Sequence, residues 1–378
     1  MKKFILIPDS FKGTMSSSEI CGIMREVILS HYPDAEIHSI PVADGGEGTV
    51  DSFLEALPGE KVMKTVTGPF FSEKTEGYYA MLPDGTAIIE MAAAAALPMV
   101  EGRKDPMNTT TYGVGELILD AAEKGAKKII IGLGGSCTND AAAGLAAACG
   151  VSFYDADGKL FIPTGGTLCK VERVDISTMD ERLREIEFVT MCDIDNPFYG
   201  EEGAAYVYAP QKGADPEMVK ELDLGLRKMA AVIKKDLGID VQSIPGAGAA
   251  GGMGGGTVAW FASRLEMGID TVLDTVGFDK LLENTDYVYT GEGKIDGQSL
   301  RGKVVVGVSR RAKKQGVKTL AFVGDIGDGV ENAYEEGVTG IFSINRVAVP
   351  YEKARLRAKS DLALTVDNLL RFQEAVAR

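Results

Sequence analysis

Histidine is almost absent: the 378 residues hold two, His31 and His38, both in SHYPDAEIHSI between an expected helix and an expected strand. With no HExxH and no Cys/His cluster, a zinc site is disfavoured, and acid–base chemistry falls to carboxylates, lysines or hydroxyls. The five cysteines (21, 137, 149, 169, 192) are an odd number without a CxxC pair, which reads as reduced thiols in a cytoplasmic protein. Positive charge is short too, 40 basic against 55 acidic residues for a net charge of −15. A nucleic-acid binder shows the opposite balance. An anionic ligand would therefore have to be met by local Lys, Arg and backbone N–H groups, helped by a divalent cation. Long apolar runs are missing: MAAAAALPMV stops at a proline far short of a membrane span, and the run in MKKFILIPDS ends at Pro8, too short for a signal peptide. GxxxxGK[ST] occurs nowhere, so no P-loop is expected.

One pattern does recur. Short apolar runs end in small or polar residues and are mostly followed by helical patterns: FILIPDSFKG, SIPVADGGEG, IIIGLGGSCTND, FVTMCDIDNP, YVYTGEGKID, LAFVGDIGD and IFSINR. Such runs mark parallel strands of an α/β sheet, whose ligands sit beyond the strands' carboxyl ends. The rhythm breaks after about residue 60, where KVMKTVTGPF, KTEGYYAMLP and TAIIEMA read as an antiparallel meander with PDGT as its last turn. It resumes at DYVYTG. The expectation is a flavodoxin-like parallel-sheet domain, 1–60 plus 285–378, interrupted by a larger inserted α/β domain at 61–284 with some antiparallel strands. The cleft between two such domains is the default binding site.

Several strand ends carry more than turn chemistry. SFKGTMSSSEI has a capping box, Ser16 with Glu19, that explains its serines but not Lys12 in the bend. ADGGEGT sets Asp44 and Glu47 around two glycines, oxygen donors suited to Mg²⁺. In GLGGSCTND, Gly134 and Gly135 let the chain turn, and Thr138 or Asn139 is expected to cap a helix over Ala141–Cys149 whose free N–H groups favour an anion. PGAGAAGGMGGGT holds seven glycines and a GxGxxG at 246, 248 and 251, but no good strand precedes it. It reads as a mobile glycine wall for a nucleotide or, equally, as a connector before a helix at 257–266. CDIDNPFYG places Asp193 and Asp195 at a strand end, where alternation would send both to one face. TGEGKIDGQSLRGK gathers Lys294, Arg301 and Lys303 around Asp296, before a helix (about 303–315) whose N-terminus disfavours cations unless an anion offsets them.

Taken in order, PDSFKGT, ADGGEGT, GLGGSCTND, CDIDNPFYG, APQKGAD, GAGAAGG and TGEGKIDGQS resemble the bacterial glycerate kinase family of the GarK/GlxK type (type I), over essentially the whole chain. The resemblance implies ATP-dependent phosphorylation of D-glycerate, generally at the 2-hydroxyl to give 2-phosphoglycerate, with ATP and Mg²⁺. It also implies a flavodoxin-like domain carrying an inserted α/β domain. No nucleic-acid or membrane partner is expected, and an oligomer is compatible with the sequence.

Phosphoryl transfer needs positioning and charge neutralisation more than covalent chemistry. On that basis Asp193 is expected to accept the hydroxyl proton, with Lys294 and Arg301 facing the phosphoryl group or the glycerate carboxylate. Asp195 and Glu47 would hold the metal. Ser10, Lys12, Asp44 and Asp296 are the candidates for glycerate. Gly134, Gly135, Ser136, Thr138, Asn139, Gly248, Gly251 and Gly252 are those for the nucleotide. Two other readings remain: an NAD(P)-dependent hydroxyacid dehydrogenase built on the 246–251 glycines, and a non-enzymatic small-anion-binding protein.

Overall fold

The computed structural model describes residues 1–43, 45–297 and 303–376; Asp44 and Arg301 lie outside them. In chain order the strands are β1 (Lys3–Pro8), β2 (Glu36–Ser39), β3 (Glu60–Thr67), β4 (Lys74–Met81), β5 (Thr86–Glu90), β6 (Lys128–Gly132) and β7 (Ser152–Tyr154). There follow β8 (Leu160–Phe161), β9 (Arg173–Asp175), β10 (Glu187–Met191), β11 (Arg264–Glu266), β12 (Tyr287–Ile295), β13 (Lys318–Ile326) and β14 (Val338–Ser343). The chain divides into two compact units. One comprises residues 1–43, 55–57 and 269–378, the other 44–54 and 58–268. Residues 269–284, expected in the insertion, thus group with the chain termini.

The first unit is built on one all-parallel sheet in the order β2-β1-β12-β13-β14. Strands from the two ends of the sequence are therefore direct neighbours, with Leu6 opposite Tyr289. Apart from half-buried Lys3, every residue of β1 is buried, as a central strand covered on both faces requires. The helix Ser17–His31 begins at the expected capping box, with Ser16 accepting from Glu19 N and Glu19 accepting from Ser16 N. The apolar run SIPV was expected to be strand. Instead β2 stops at Ser39, and the chain reaches residue 43 without regular structure.

The second unit holds a six-stranded mixed sheet, β11-β10-β6-β5-β4-β3, and a small antiparallel sheet, β8-β7-β9. The expected meander is present: β3 pairs with β4 and β4 with β5, all antiparallel. From β5 onward the pairings are parallel. Edge strand β3 is largely exposed and carries Lys61 and Lys64, charges that discourage edge-to-edge pairing. In contrast β5 and β6 are almost wholly buried, and their apolar side chains enter a core that also takes Val114, Leu117, Leu145 and Trp260. Two neighbouring strands, β6 and β10, end in register at Gly132 and Met191. Their carboxyl ends open onto the same place.

Candidate active site

Backbone proximity shapes the turn after β6. A Cβ on Gly132 would stand 2.4 Å from Gly45 O, and one on Gly134 would stand 2.5 Å from Gly46 Cα. Only glycine allows this approach, which Gly134 N seals by donating to Gly45 O at 2.9 Å. The GGEGT loop and the GLGGS turn, far apart in sequence, are thus one backbone assembly. Glu90, fully buried at the end of β5 beside Gly132, holds the loop from the other side. It accepts from Val50 N at 2.6 Å and from the Tyr78 hydroxyl at 3.1 Å. Burial raises its carboxyl pKa, against the pull of those donors.

The helix expected over Ala141–Cys149 is shorter, Ala143–Ala148. Ala141 and Ala142 both have positive φ, so they cannot continue a right-handed helix. Neither Thr138 nor Asn139 caps it. Fully buried Asp140 does the work instead, accepting from Ala142 N, Gly144 N and both the N–H and hydroxyl of Thr111. The leading N–H groups of this short helix are therefore occupied, and the anion site expected there fails. Thr138 and Asn139 are completely buried, and Thr138 Oγ1 and both amide atoms of Asn139 lack hydrogen-bond partners among the described residues.

What the turn does offer is a cavity of about 400 Å³, lined by Gly134, Gly135, Ser136, Asp193, Tyr208 and Lys212 among others. Asp193 follows β10, and its Oδ1 accepts from Gly268 N at 2.6 Å, which fixes the carboxylate. Asp195 is exposed and lies outside the lining. β10 ends at Met191, so strand alternation does not govern residues 193–195. Glu47 is exposed. Among the described residues no group of three or more His, Cys, Asp or Glu is placed to hold a metal ion.

Lys212 is the residue sequence reasoning left without a role. It is 2% exposed, and its Nζ donates to Ser136 Oγ and to Thr138 O, both at 2.6 Å. Burial pulls its pKa down to about 8. A signal existed: Lys212 is the one charge in GAAYVYAPQKGA.

The glycine stretch is neither a mobile wall nor a connector. It forms the helix Ala249–Phe261, kinked where Ala250, Gly251 and Gly252 take positive φ. A Cβ on Gly251 would be 2.2 Å from Thr138 O, and one on Gly248 would be 2.2 Å from Pro197 O. Gly252 closely faces Leu226 and Phe198. These three glycines pack closely against neighbouring backbone and side chains, and none of them is among the residues lining the cavity described above. No strand leads into the GxGxxG, which is preceded by the 3₁₀ turn Val241–Ser243. The dehydrogenase reading lacks its strand–turn–helix unit.

The first unit has a separate cavity of about 260 Å³ at the carboxyl-terminal ends of β1, β12, β13 and β14, lined by Lys12, Gly293, Asp325, Asn345, Tyr351 and Arg355 among others. Lys12 is exposed. Lys294, over half exposed, pairs with Asp296 at 3.3 Å. Neither of that pair lines the cavity, nor does Ser10, whose N–H donates to Asp9 at 2.6 Å. Lys303 occupies the N-cap of the helix Val304–Lys314. Both histidines are taken up with neighbouring carboxylates, His31 with Asp367 and Glu374 and His38 with Glu36. All five cysteines are free, and no described helix is long and apolar enough to cross a membrane.

Comparison with known proteins agrees with this construction. The chain is 43% identical over 369 residues to a glycerate kinase of Bacillus cereus, covering 97% of each chain. It is 42% identical over 344 residues to a glycerate 2-kinase of Escherichia coli, covering 90% of each. A crystal structure of a putative glycerate kinase 2 from Salmonella typhimurium superposes with a TM-score of 0.88 at 37% identity, covering 100% of this chain and 99% of the other. The model of the glycerate kinase family matches residues 4–374, and the chain belongs to that family.

Proposed function

We propose that the protein is a glycerate kinase that transfers the γ-phosphoryl group of ATP to D-glycerate, at the 2-hydroxyl. The observation that carries this reading is the second-unit cavity. At the coincident ends of β6 and β10 it combines a glycine turn of accessible amides with a fixed carboxylate, Asp193, in a member of this family. Asp193 accepts the hydroxyl proton as the phosphoryl group arrives, the part a carboxylate plays in protein kinases. The Gly134–Ser136 turn faces the nucleotide phosphates. Lys12 binds the glycerate carboxylate, with Ser10 and Asp296 as further substrate contacts, and Lys294 and Arg301 neutralise the transferred group. Asp44 is a further substrate contact and, with Asp296, a reserve for the proton acceptor.

Mg²⁺ is held in most nucleotide enzymes by one or two carboxylates, the rest of its shell being phosphate and water. The exposed Asp195, two residues beyond Asp193, fits that donor set, with Glu47 as a second candidate. Bound there, the ion would neutralise charge on the phosphates. The strand order of the first unit supports a flavodoxin-like fold. The reading of the remainder as an inserted domain is supported by the second unit being nearly continuous in sequence. The unpaired cysteines suit a cytoplasmic setting. Phosphorus NMR of the product of ATP and D-glycerate tests the whole reading: 2-phosphoglycerate is expected, 3-phosphoglycerate corrects the regiochemistry, and no turnover overturns it.

A further inference from the structure

We propose that Lys212 supplies the charge that binds the phosphate chain of the nucleotide in the second-unit cavity, a role that rests on the kinase reading above. The starting point is a buried cation without a counter-ion among the described residues. An ammonium has three N–H donors. Two of those on Lys212 go to neutral oxygens, Ser136 Oγ and Thr138 O, and no described carboxylate pairs with it. Burying an uncompensated charge is costly, and proteins tolerate it where a ligand completes the pairing. The nearby ionisable groups do not complete it. Asp140 spends its oxygens on Thr111, Ala142 and Gly144, while burial drives the Cys137 thiol up to about 12 and so keeps it neutral. Asp193 and Tyr208 share the cavity lining, and Asp193 is held by Gly268 N.

Two further features point to phosphate. The Gly135 and Ser136 N–H groups meet no acceptor among the described residues, so the turn presents amides beside the ammonium. Gly135 has φ +78°, the left-handed conformation that lets consecutive amides converge on an anion. The cavity, at about 400 Å³, falls in the range of small-molecule and cofactor sites. Lysine serves phosphate as a point charge, where arginine prefers planar bidentate partners. The Ser136 hydroxyl, having accepted from Lys212, keeps its own hydrogen for the same ligand.

The charge on Lys212 is present below about pH 8 and lost above it, so anion affinity should fall as pH rises through that value. ADP is a suitable probe, because phosphate groups ionise near pH 6 and the ligand's charge is constant from about 7.5 to 9. Calorimetry on the wild type should show ADP binding weakening across that interval. Lys212→Met, shown to be folded by a cooperative melt, should bind ADP at least about 10-fold more weakly, with the pH dependence gone. A folded Lys212→Met that binds ADP as tightly as wild type, or a wild-type affinity that is flat across the interval, overturns the proposal. Should Lys212→Met not fold, ¹³Cε lysine NMR on the wild type decides. One resonance should titrate near pH 8 and shift upward in pKa with ADP, and its absence or indifference to ADP overturns the assignment. The two readings fail separately. Turnover of glycerate by a folded Lys212→Met with unchanged ADP affinity sinks the lysine alone. Lys212-dependent ADP binding without glycerate turnover sinks the acceptor assignment alone.

Discussion

The two cavities of this protein are built from opposite materials. The charges lining that of the first unit, Lys12 and Arg355 among them, are exposed, and Arg355 pairs with Glu352 at 3.2 Å. That of the second unit sets a buried lysine, Lys212, beside the Gly134–Ser136 turn and an exposed carboxylate, Asp193, held by a main-chain N–H. Solvent screens the first set, so each of its charges contributes modestly and reorganises freely. In the second, Lys212 is held by two hydrogen bonds out of water, where a charge acts strongly, and Asp193 is held by Gly268 N. On the reading proposed above, the first recruits a small anion and the second carries the chemistry, and substitutions can separate the two.

The largest effect is expected at Asp193. Asparagine in its place can still accept from Gly268 N, so the loop should keep its geometry while the proton acceptor is lost. Asp193→Asn should lower kcat by about 10²- to 10⁴-fold, the usual worth of a positioned base, with ADP affinity near that of wild type. Steady-state kinetics and calorimetry check this. A variant turning over at the wild-type rate would move the chemistry out of the second-unit cavity.

Next comes Gly251→Ala, which probes the walls. At φ +72° and 2.2 Å from Thr138 O, a methyl group has no room and the backbone is strained. A loss of about 1–3 kcal/mol in urea unfolding is expected. If stability is unchanged while ADP affinity drops, the glycine touches nucleotide after all and the packing account is wrong. Lys12→Ala should do less. As an exposed cation it should raise the KM for glycerate several-fold, about 1 kcal/mol, and leave kcat in place. A large fall in kcat would mean that the first-unit cavity holds reacting groups too.

The same contrast explains what could be read from the sequence. Strands such as FILIP and KIIIG announce themselves because continuous apolar runs have few other uses, and the capping box at Ser16 is local chemistry visible in four residues. The joining of β1 to β12 followed from the return of the same rhythm at the far end of the chain. Exposed charges were found because charge is conspicuous: Lys12, Lys294 and the aspartates of CDIDNP. Burial is not written in that alphabet. Asp140 in place of Thr138 or Asn139, the packed glycines at 248–252, and Lys212 all depend on which distant segment comes close, a tertiary fact. Alternation could not place Asp195 for a related reason, since the strand stops at Met191 and the rule does not reach past it.

Glu90 is the finest test, because its effect is a slope and not a loss. The carboxyl is buried beside Gly132 and, through Val50 N, holds the GGEGT loop that packs on Gly132 and Gly134. Desolvation raises its folded pKa above the ordinary glutamate value of about 4.3. A carboxyl displaced upward binds its proton more tightly in the folded protein than in the unfolded chain. Its contribution to stability is therefore fully present below the unfolded pKa and is lost as pH rises through the folded one. Glu90→Gln removes that titration while leaving an acceptor for Val50 N and a neutral partner for Tyr78. The stability difference between wild type and Glu90→Gln should then drift in favour of the variant as pH rises from about 4 toward neutrality. That drift is expected to be the smallest of these effects, and urea unfolding at a series of pH values reads it directly. A difference that is constant with pH, or one that moves toward the wild type, would mean that the donors on Glu90 outweigh its burial. The loop would then be held by a stable carboxylate, and desolvation at the end of β5 would count for less than the donors gathered there.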